Sequence, residues 1–498
     1  MQNLKAVRYQ PQWFQNPRLL IGTLAIVFTA WLGLQLGFWR MITLVLIIQI
    51  ILFILAFRRP VWAVAALLVG QFTASTYWLN IAGTQITSRL VWTILSVLIV
   101  LPLLKLKGDI KLGRHARYVI IPTVIFYCLA SIANMVNVDM AETYQYLRTG
   151  ITALAIVFFL PAVVKNEKDL KLLAMVIFIV CLISALAAVM QHYRGLGLPV
   201  YTLGQGISRN RAPGLSQGSI FLAYELPIVI LPLFALFLLK GVNPQTRKFL
   251  PVLILVMLAG LYFTYTRSGM YSLLPGVLVM FFLLKGKVKK TLFLIFLVMA
   301  VGFLIYTNMQ GTRYSKGFSD ESSAAGRLVL WQAGVMIALD NPIFGIGPGR
   351  FIEVSRYYSS EVEVSAVSGE LGMGALGMEQ PHNDFIRVWL TFGTPAFLVF
   401  IWVFVVIFRN FYYGYRRSSR PFIKALAFGG CGALMAYVVN AFSHNVMDSV
   451  PLLWILAGFS IAITKLAEAP KPVAITEGLV NTPAINPLPD SSSLKPQI

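Results

Sequence analysis

Apolar residues in this chain come in long runs separated by short polar links, and the runs carry no two-residue alternation. Stretches of sixteen or more apolar residues recur from Leu19 to about Lys465. Each is long enough to cross a hydrocarbon layer about 30 Å thick as a helix that satisfies its own backbone. The run boundaries predict up to fourteen spans, near 19–36, 41–57, 61–79, 90–104, 118–135, 149–164, 170–190, 219–239, 249–265, 268–284, 291–307, 384–407, 425–442 and 450–464. The short alternating segments of a membrane β-barrel are missing. The expected fold is therefore all-α, a polytopic membrane bundle of about 12–14 transmembrane helices. One long hydrophilic interruption, residues 308–383, stands before the third-last span. It divides the chain into an N-terminal approach (1–18), a bundle of about 11 helices (19–307), a large outer loop (308–383), the C-terminal helices (384–465) and a proline-rich tail (466–498) read as disordered.

Composition agrees with that pattern: 58% of residues are hydrophobic and 12% charged, and the mean hydropathy is +0.75. A soluble globular domain of this length lies well outside such values. The net charge of +22 would fit nucleic-acid binding only if it were clustered on one face. Instead, most of the 41 Lys and Arg sit in links on one side of the predicted membrane, as at Lys105–Arg117, Lys285–Lys290 and Arg409–Arg420. That is the positive-inside bias, with both termini cytoplasmic, and it assigns most of the charge to topology. Cys128, Cys181 and Cys431 all fall inside predicted spans, so neither a structural disulfide nor thiol chemistry is expected. No small-residue cleavage site follows the first apolar run, which is read as a retained helix.

Candidate chemistry gathers on the outer side. In the long loop, SSAAGRLVLWQAGVMIALDNP predicts a helix with Ser322 or Ser323 as N-cap, an apolar side of Leu328, Trp331, Val335 and Ile337–Leu339, and a stop at Asn341–Pro342. GIGPGRF then forms a turn, and a glycine-rich run near 365–379 has the character of a lid. QPHND opens the next span: Asn383 caps it, and Asp384 in its first turn complements the helix dipole. His382 has no such structural explanation. An imidazole partly removed from water beside the positive end of a helix favours its neutral form, suited to accept a proton, and free backbone amides there suit an anion.

Elsewhere on that side, Asp139 and Glu142 read as a solvated loop, and His444 with Asp448 lies in the short loop SHNVMDS as a second histidine at the same mouth. Residues 191–218 contain Arg194, Arg209 and Arg211. The following span carries Glu225, a carboxylate that needs an interior partner and is expected to orient one of these arginines. Arg267 sits in the tight turn TYTRSG, where the bland reading is a cation that snorkels to lipid headgroups.

Taken in order, these pieces resemble the O-antigen ligase and Wzy-type polymerase superfamily of bacterial inner-membrane glycan transferases. The motifs that carry the resemblance are RAPG at 211–214, the TYTRSG turn with Arg267, Arg327 and Trp331 followed by NPIFGIGPGRF at 341–351, and HN opening a helix that reaches Gly393. They span about 200–460. The turn departs from the commoner Ser and Arg order of the pattern.

The resemblance implies that Arg211 and Arg267 hold the pyrophosphate of an undecaprenyl-linked glycan donor. It makes His382 the residue that acts on an acceptor hydroxyl and matches Arg327 to a loop arginine of the pattern, at the periplasmic face of the inner membrane. Glu225, Asn383 and His444 are supporting candidates from the residues themselves. Expected partners are that donor, a glycan or lipid A core acceptor, membrane lipid and a polysaccharide chain-length regulator. No cofactor is expected, and no metal, since the outer loops show no D-x-D and no clustered His and Asp at ligand spacing. A transporter or lipid-linked glycan flippase is the alternative. It would place ionisable groups near the bilayer midplane in repeated halves, whereas these spans hold little acid besides Glu225 and show no repeat.

Overall fold

In the computed structural model, the described residues lie within 45–100, 112–194, 211–301, 321–358 and 376–469, with short gaps inside these ranges. The labelled helices are α1 (Ile47–Ala56), α2 (Val61–Gln71), α3 (Ala116–Asn137), α4 (Met140–Val163), α5 (Glu167–Arg194), α6 (Ser219–Leu238), α7 (Pro244–Phe263), α8 (Arg267–Leu283), α9 (Glu321–Asp340), α10 (Phe351–Val354), α11 (Asp384–Arg417), α12 (Pro421–Ala441) and α13 (Leu452–Glu468). This is the expected polytopic helical bundle. Among the described residues six helices, α3, α5, α6, α7, α11 and α12, are long and apolar enough to cross a membrane, and shorter apolar helices accompany them. The expected spans near 19–36 and 291–307, the lid-like run and the tail beyond 469 lie wholly or largely outside the described residues.

Burial sorts the bundle into centre and rim. In α6, Leu222–Leu233 is buried without interruption, and α12 and α13 are buried along most of their length. The rim is apolar and exposed: Met135, Leu255, Phe282, Leu398 and Val405 are each at least 58% accessible, the arrangement expected where the surrounding solvent is lipid. Helices cross closely because small residues line the contacts. A Cβ on Gly276 of α8 would lie 3.0 Å from the Gly432 carbonyl of α12, and one on Gly432 would lie 3.0 Å from the Gly276 carbonyl.

Three local expectations are corrected. The run read as a span over 61–79 is helical only to Gln71, and Tyr77–Ile81 (β1) pairs antiparallel with Thr84–Thr87 (β2). The β-branched and aromatic content of YWLNI and TQIT favours that pairing once the helix has ended. Glu142 belongs to α4, not to a loop, and Asp139 lies outside the described residues. Helix α9 begins at Glu321, so Ser322 and Ser323 stand in its first turn instead of capping it. Its buried face is Val329, Leu330, Ala333, Ile337 and Ala338, while Leu328 and Leu339 are 63% and 62% exposed. That face forms a second small core with Ile346, Phe351 and Leu390, which docks the loop helix onto the start of α11.

Candidate functional site

The segment beginning at Arg211 shows how a polar loop survives burial. Residues 211–216 are all buried, and their backbone groups are met by side chains from α5. The Gln191 amide accepts from Gly214 N at 2.8 Å and donates to Gly214 O at 3.0 Å, and Leu215 N donates to Ser184 Oγ at 2.9 Å. Gly214 has φ +60°, and a Cβ there would lie 2.3 Å from the Ser184 carbonyl, so the loop requires glycine. On its other side Ala212 N donates to Phe263 O. Arg211, 8% exposed, donates from Nε to Thr264 O at 3.1 Å and from Nη2 to Thr266 Oγ1 at 2.8 Å. Both acceptors are neutral, so these bonds aim the guanidinium without cancelling its charge. Thr266 is the cap residue of α8, whose first residue is Arg267.

The second half of the site is built around a break in α11. Gly393, at φ +81° and ψ 173°, interrupts the helix, which frees backbone groups on both sides of the break. The NPIFGIG loop fills the gap: Thr394 N donates to Pro342 O at 2.7 Å, Ile346 N to Leu390 O at 2.8 Å and Gly347 N to Thr391 O at 3.0 Å. The motif that follows α9 is thus a backbone plug for a helix some fifty residues later. Asn137 at the end of α3 adds a donor to Phe344 O.

These contacts fix the start of α11. Trp331 Nε1 donates to Pro381 O at 2.9 Å and holds the residue before His382. His382 has φ 49°, a left-handed backbone that an L side chain adopts at a cost. Asn383 caps the helix through Phe385 N and Ile386 N, as its position in the sequence implied, and its own N–H donates to Asn445 Oδ1 at 3.1 Å. Asp384, fully buried, accepts from Met447 N at 3.0 Å and from Arg387 Nη2 at 3.0 Å. The 380–384 and 443–447 loops are therefore tied together, and their histidines meet. His382 and His444 pack edge to face with ring centroids 5.0 Å apart.

Around this pair the arginines converge. The His444 pKa is lowered to about 3 by burial first and then by His382, Arg327 and Arg211, so the ring is neutral at any physiological pH. Tyr224 lies beside His444 with ring centroids 6.1 Å apart, feels the charges of Arg327 and Arg211, and shares a 3.2 Å hydrogen bond with Ser268. Arg327 reaches the group from α9, one turn before Trp331 on the same helix face. Arg267 stands next to Ser268 and is half-buried; its charge acts on Tyr271, one turn along α8. Its neighbours in the chain, Thr266 and Ser268, bond Arg211 and Tyr224. Glu225 is fully buried and accepts from the Ser216 hydroxyl, so the contact shown ties it to the loop that carries Arg211.

Sequence reasoning passed over Tyr224, Ser268 and Asn445, and it gave Asp384 only the part of complementing the helix dipole. Their one signal was the placement of polar residues at the ends of apolar runs. Among the described residues no group of three or more His, Cys, Asp or Glu stands close enough to hold a metal ion. The three cysteines are free.

The fold and this site define a multi-pass membrane protein with arginines and histidines gathered at one end of a helical bundle. Residues 252–401 match the family model described as O-Antigen ligase, and the resemblance to the O-antigen ligase and Wzy-type superfamily holds over that region. The match runs from within α7 to within α11. It includes Arg267, Arg327, Trp331 and His382, and leaves Arg211, Glu225 and His444 outside it. No curated protein sequence matches the chain.

Proposed function

We propose that this chain moves glycan from an undecaprenyl-pyrophosphate-linked donor onto a hydroxyl acceptor at the periplasmic face of the inner membrane. The observation that carries the reading is the convergence of Arg211 and Arg327 on the His382–His444 pair in a chain that carries the O-antigen ligase match. In the reaction the bond between the sugar anomeric carbon and the pyrophosphate oxygen breaks, and the acceptor oxygen takes its place on that carbon. The acceptor proton passes to His382. The pyrophosphate leaves on its lipid with added negative charge, and Arg211 and Arg267 hold it by charge-assisted hydrogen bonds that strengthen as the charge develops. Arg327 adds positive potential. His444, kept neutral, packs against the His382 ring and holds its orientation, while Asn383 fixes the backbone on which that ring is carried.

Lipid A core as acceptor makes the chain a ligase; a second lipid-linked repeat makes it a polymerase. The donor chemistry is the same in both, and the product distinguishes them. The test is transfer in membranes with divalent metal chelated, comparing wild type with His382→Ala and Arg211→Ala. Wild type is expected to turn over, and His382→Ala to lose on the order of 10²–10⁴-fold while remaining inserted. Unchanged transfer by Arg211→Ala would overturn the leaving-group role.

A further inference from the structure

Next to the arginine-bearing loop, and unused by the chemistry above, the ends of α5 and α7 assemble an aromatic ledge. The His192 ring stacks on Phe263 with centroids 4.2 Å apart, and Tyr193 meets Phe263 edge-on at 5.3 Å. Tyr265 closes on His192 at 5.7 Å and on Tyr262 at 5.8 Å. Tyr193 is 73% exposed. The turn that carries Tyr265 is two-sided: Thr264 and Thr266 both bond the Arg211 guanidinium, and Tyr265 between them packs with the ledge. Tyr265 keeps φ 49° to do so, a left-handed backbone in a bulky residue. Burial, followed by the neighbouring Tyr262 and Tyr193, raises its pKa, which shows three phenols grouped at the same rim.

We infer that this ledge is a sugar-binding subsite, in which the exposed Tyr193 and its neighbours stack against the apolar faces of pyranose rings of the donor glycan while the phenol hydroxyls meet sugar hydroxyls. The inference rests on the proposed glycan transfer and names where the donor's sugars lie. Aromatic faces carry partial negative charge and attract the polarised C–H groups of a sugar face. The placement fits as well, because the turn that orients Arg211 for a pyrophosphate also sets Tyr265, so a glycan attached to that pyrophosphate begins beside the ledge. The rival explanation is an interfacial aromatic belt that anchors helix ends in headgroups.

The experiment uses the full detergent-purified chain and two probes: the undecaprenyl-pyrophosphate glycan extracted from host cells, and the same glycan released from lipid and phosphate by mild acid. Tyr193→Ala is expected to raise KM for the lipid-linked donor about tenfold at unchanged kcat, with Tyr193→Phe staying within about twofold of wild type. Saturation-transfer NMR is expected to show wild type contacting the released glycan and Tyr193→Ala losing those contacts. Turnover with wild-type KM in Tyr193→Ala overturns the subsite, and loss of membrane insertion without a KM change shows an anchor instead. Contact with the released glycan but no transfer by wild type keeps the subsite and sinks the transfer reading.

Discussion

The two ends of the bundle surround a histidine with the same residue types in different arrangements. At the end opposite the histidine pair, His115 just before α3 packs on Tyr413 with ring centroids 4.5 Å apart, and its Nε2 lies 2.9 Å from Glu468 Oε1. Arg114 reaches the same carboxylate oxygen at 2.7 Å, and Arg409 lies over Tyr118. Burial lowers the His115 pKa, Glu468 pulls it back up, and Arg114 and Arg409 lower it further. There a carboxylate at the last residue of α13 answers the cations and fastens helix ends together. At the other end, the groups that act on His444 are His382, Arg327 and Arg211, and Arg211 is aimed by a carbonyl and a hydroxyl. A histidine and two arginines thus make a fastening when a carboxylate is built in. At the other end the acceptors shown for Arg211 are a carbonyl and a hydroxyl, which suits its proposed role in holding an anion.

The comparison is tested most severely at Gly393. A Cβ there would sit 2.1 Å from the Ile343 carbonyl in a left-handed backbone, so Gly393→Ala is expected to cost about 3 kcal/mol or more and to dislodge the plug that sets His382. Loss of folded, inserted protein in a thermal-melt series checks it. Next comes Trp331→Phe, which removes the hydrogen bond to Pro381 O and keeps a smaller aromatic ring in place. A loss of about 1 kcal/mol with a clear fall in kcat is expected, since the bond fixes the backbone entering His382.

A pH series on thermal stability reads out the burial of His444. The folded state holds His444 at about 3, below the ordinary value of 6.5, so on acidification the unfolded chain takes up a proton that the folded chain refuses. Stability from this group is therefore complete above about pH 6.5 and falls as pH drops toward 3. His444→Gln is expected to flatten that acid limb. The smallest effect is assigned to Arg114→Ala: its side chain is 72% exposed, and neither transfer nor melting temperature is expected to move.

Much of the fold was legible from residue pattern. Long apolar runs have few alternatives in lipid, and the stop at Asn341–Pro342 and the cap at Asn383 are local backbone chemistry that short segments decide for themselves. The β1–β2 hairpin was missed because its first strand continues an apolar run, and period alone does not separate a helix end from a strand there. Gly393 read as one small residue within a span, because the backbone groups that meet the break come from the loop after α9.

What the sequence by itself determined is a many-helix membrane chain with its polar residues gathered at loop ends, among them the candidates Arg211, Arg267, Arg327 and His382. What only tertiary structure decided is which of them meet. Arg211 is aimed by a turn 53 residues away, and Asn383 N, next to His382, is tied to Asn445 beside His444 by a bond across 62 residues. Local propensity carries no information about such pairings. They follow from how the helices pack, because buried loops at the helix ends must satisfy every backbone group with whatever neighbour the packing supplies.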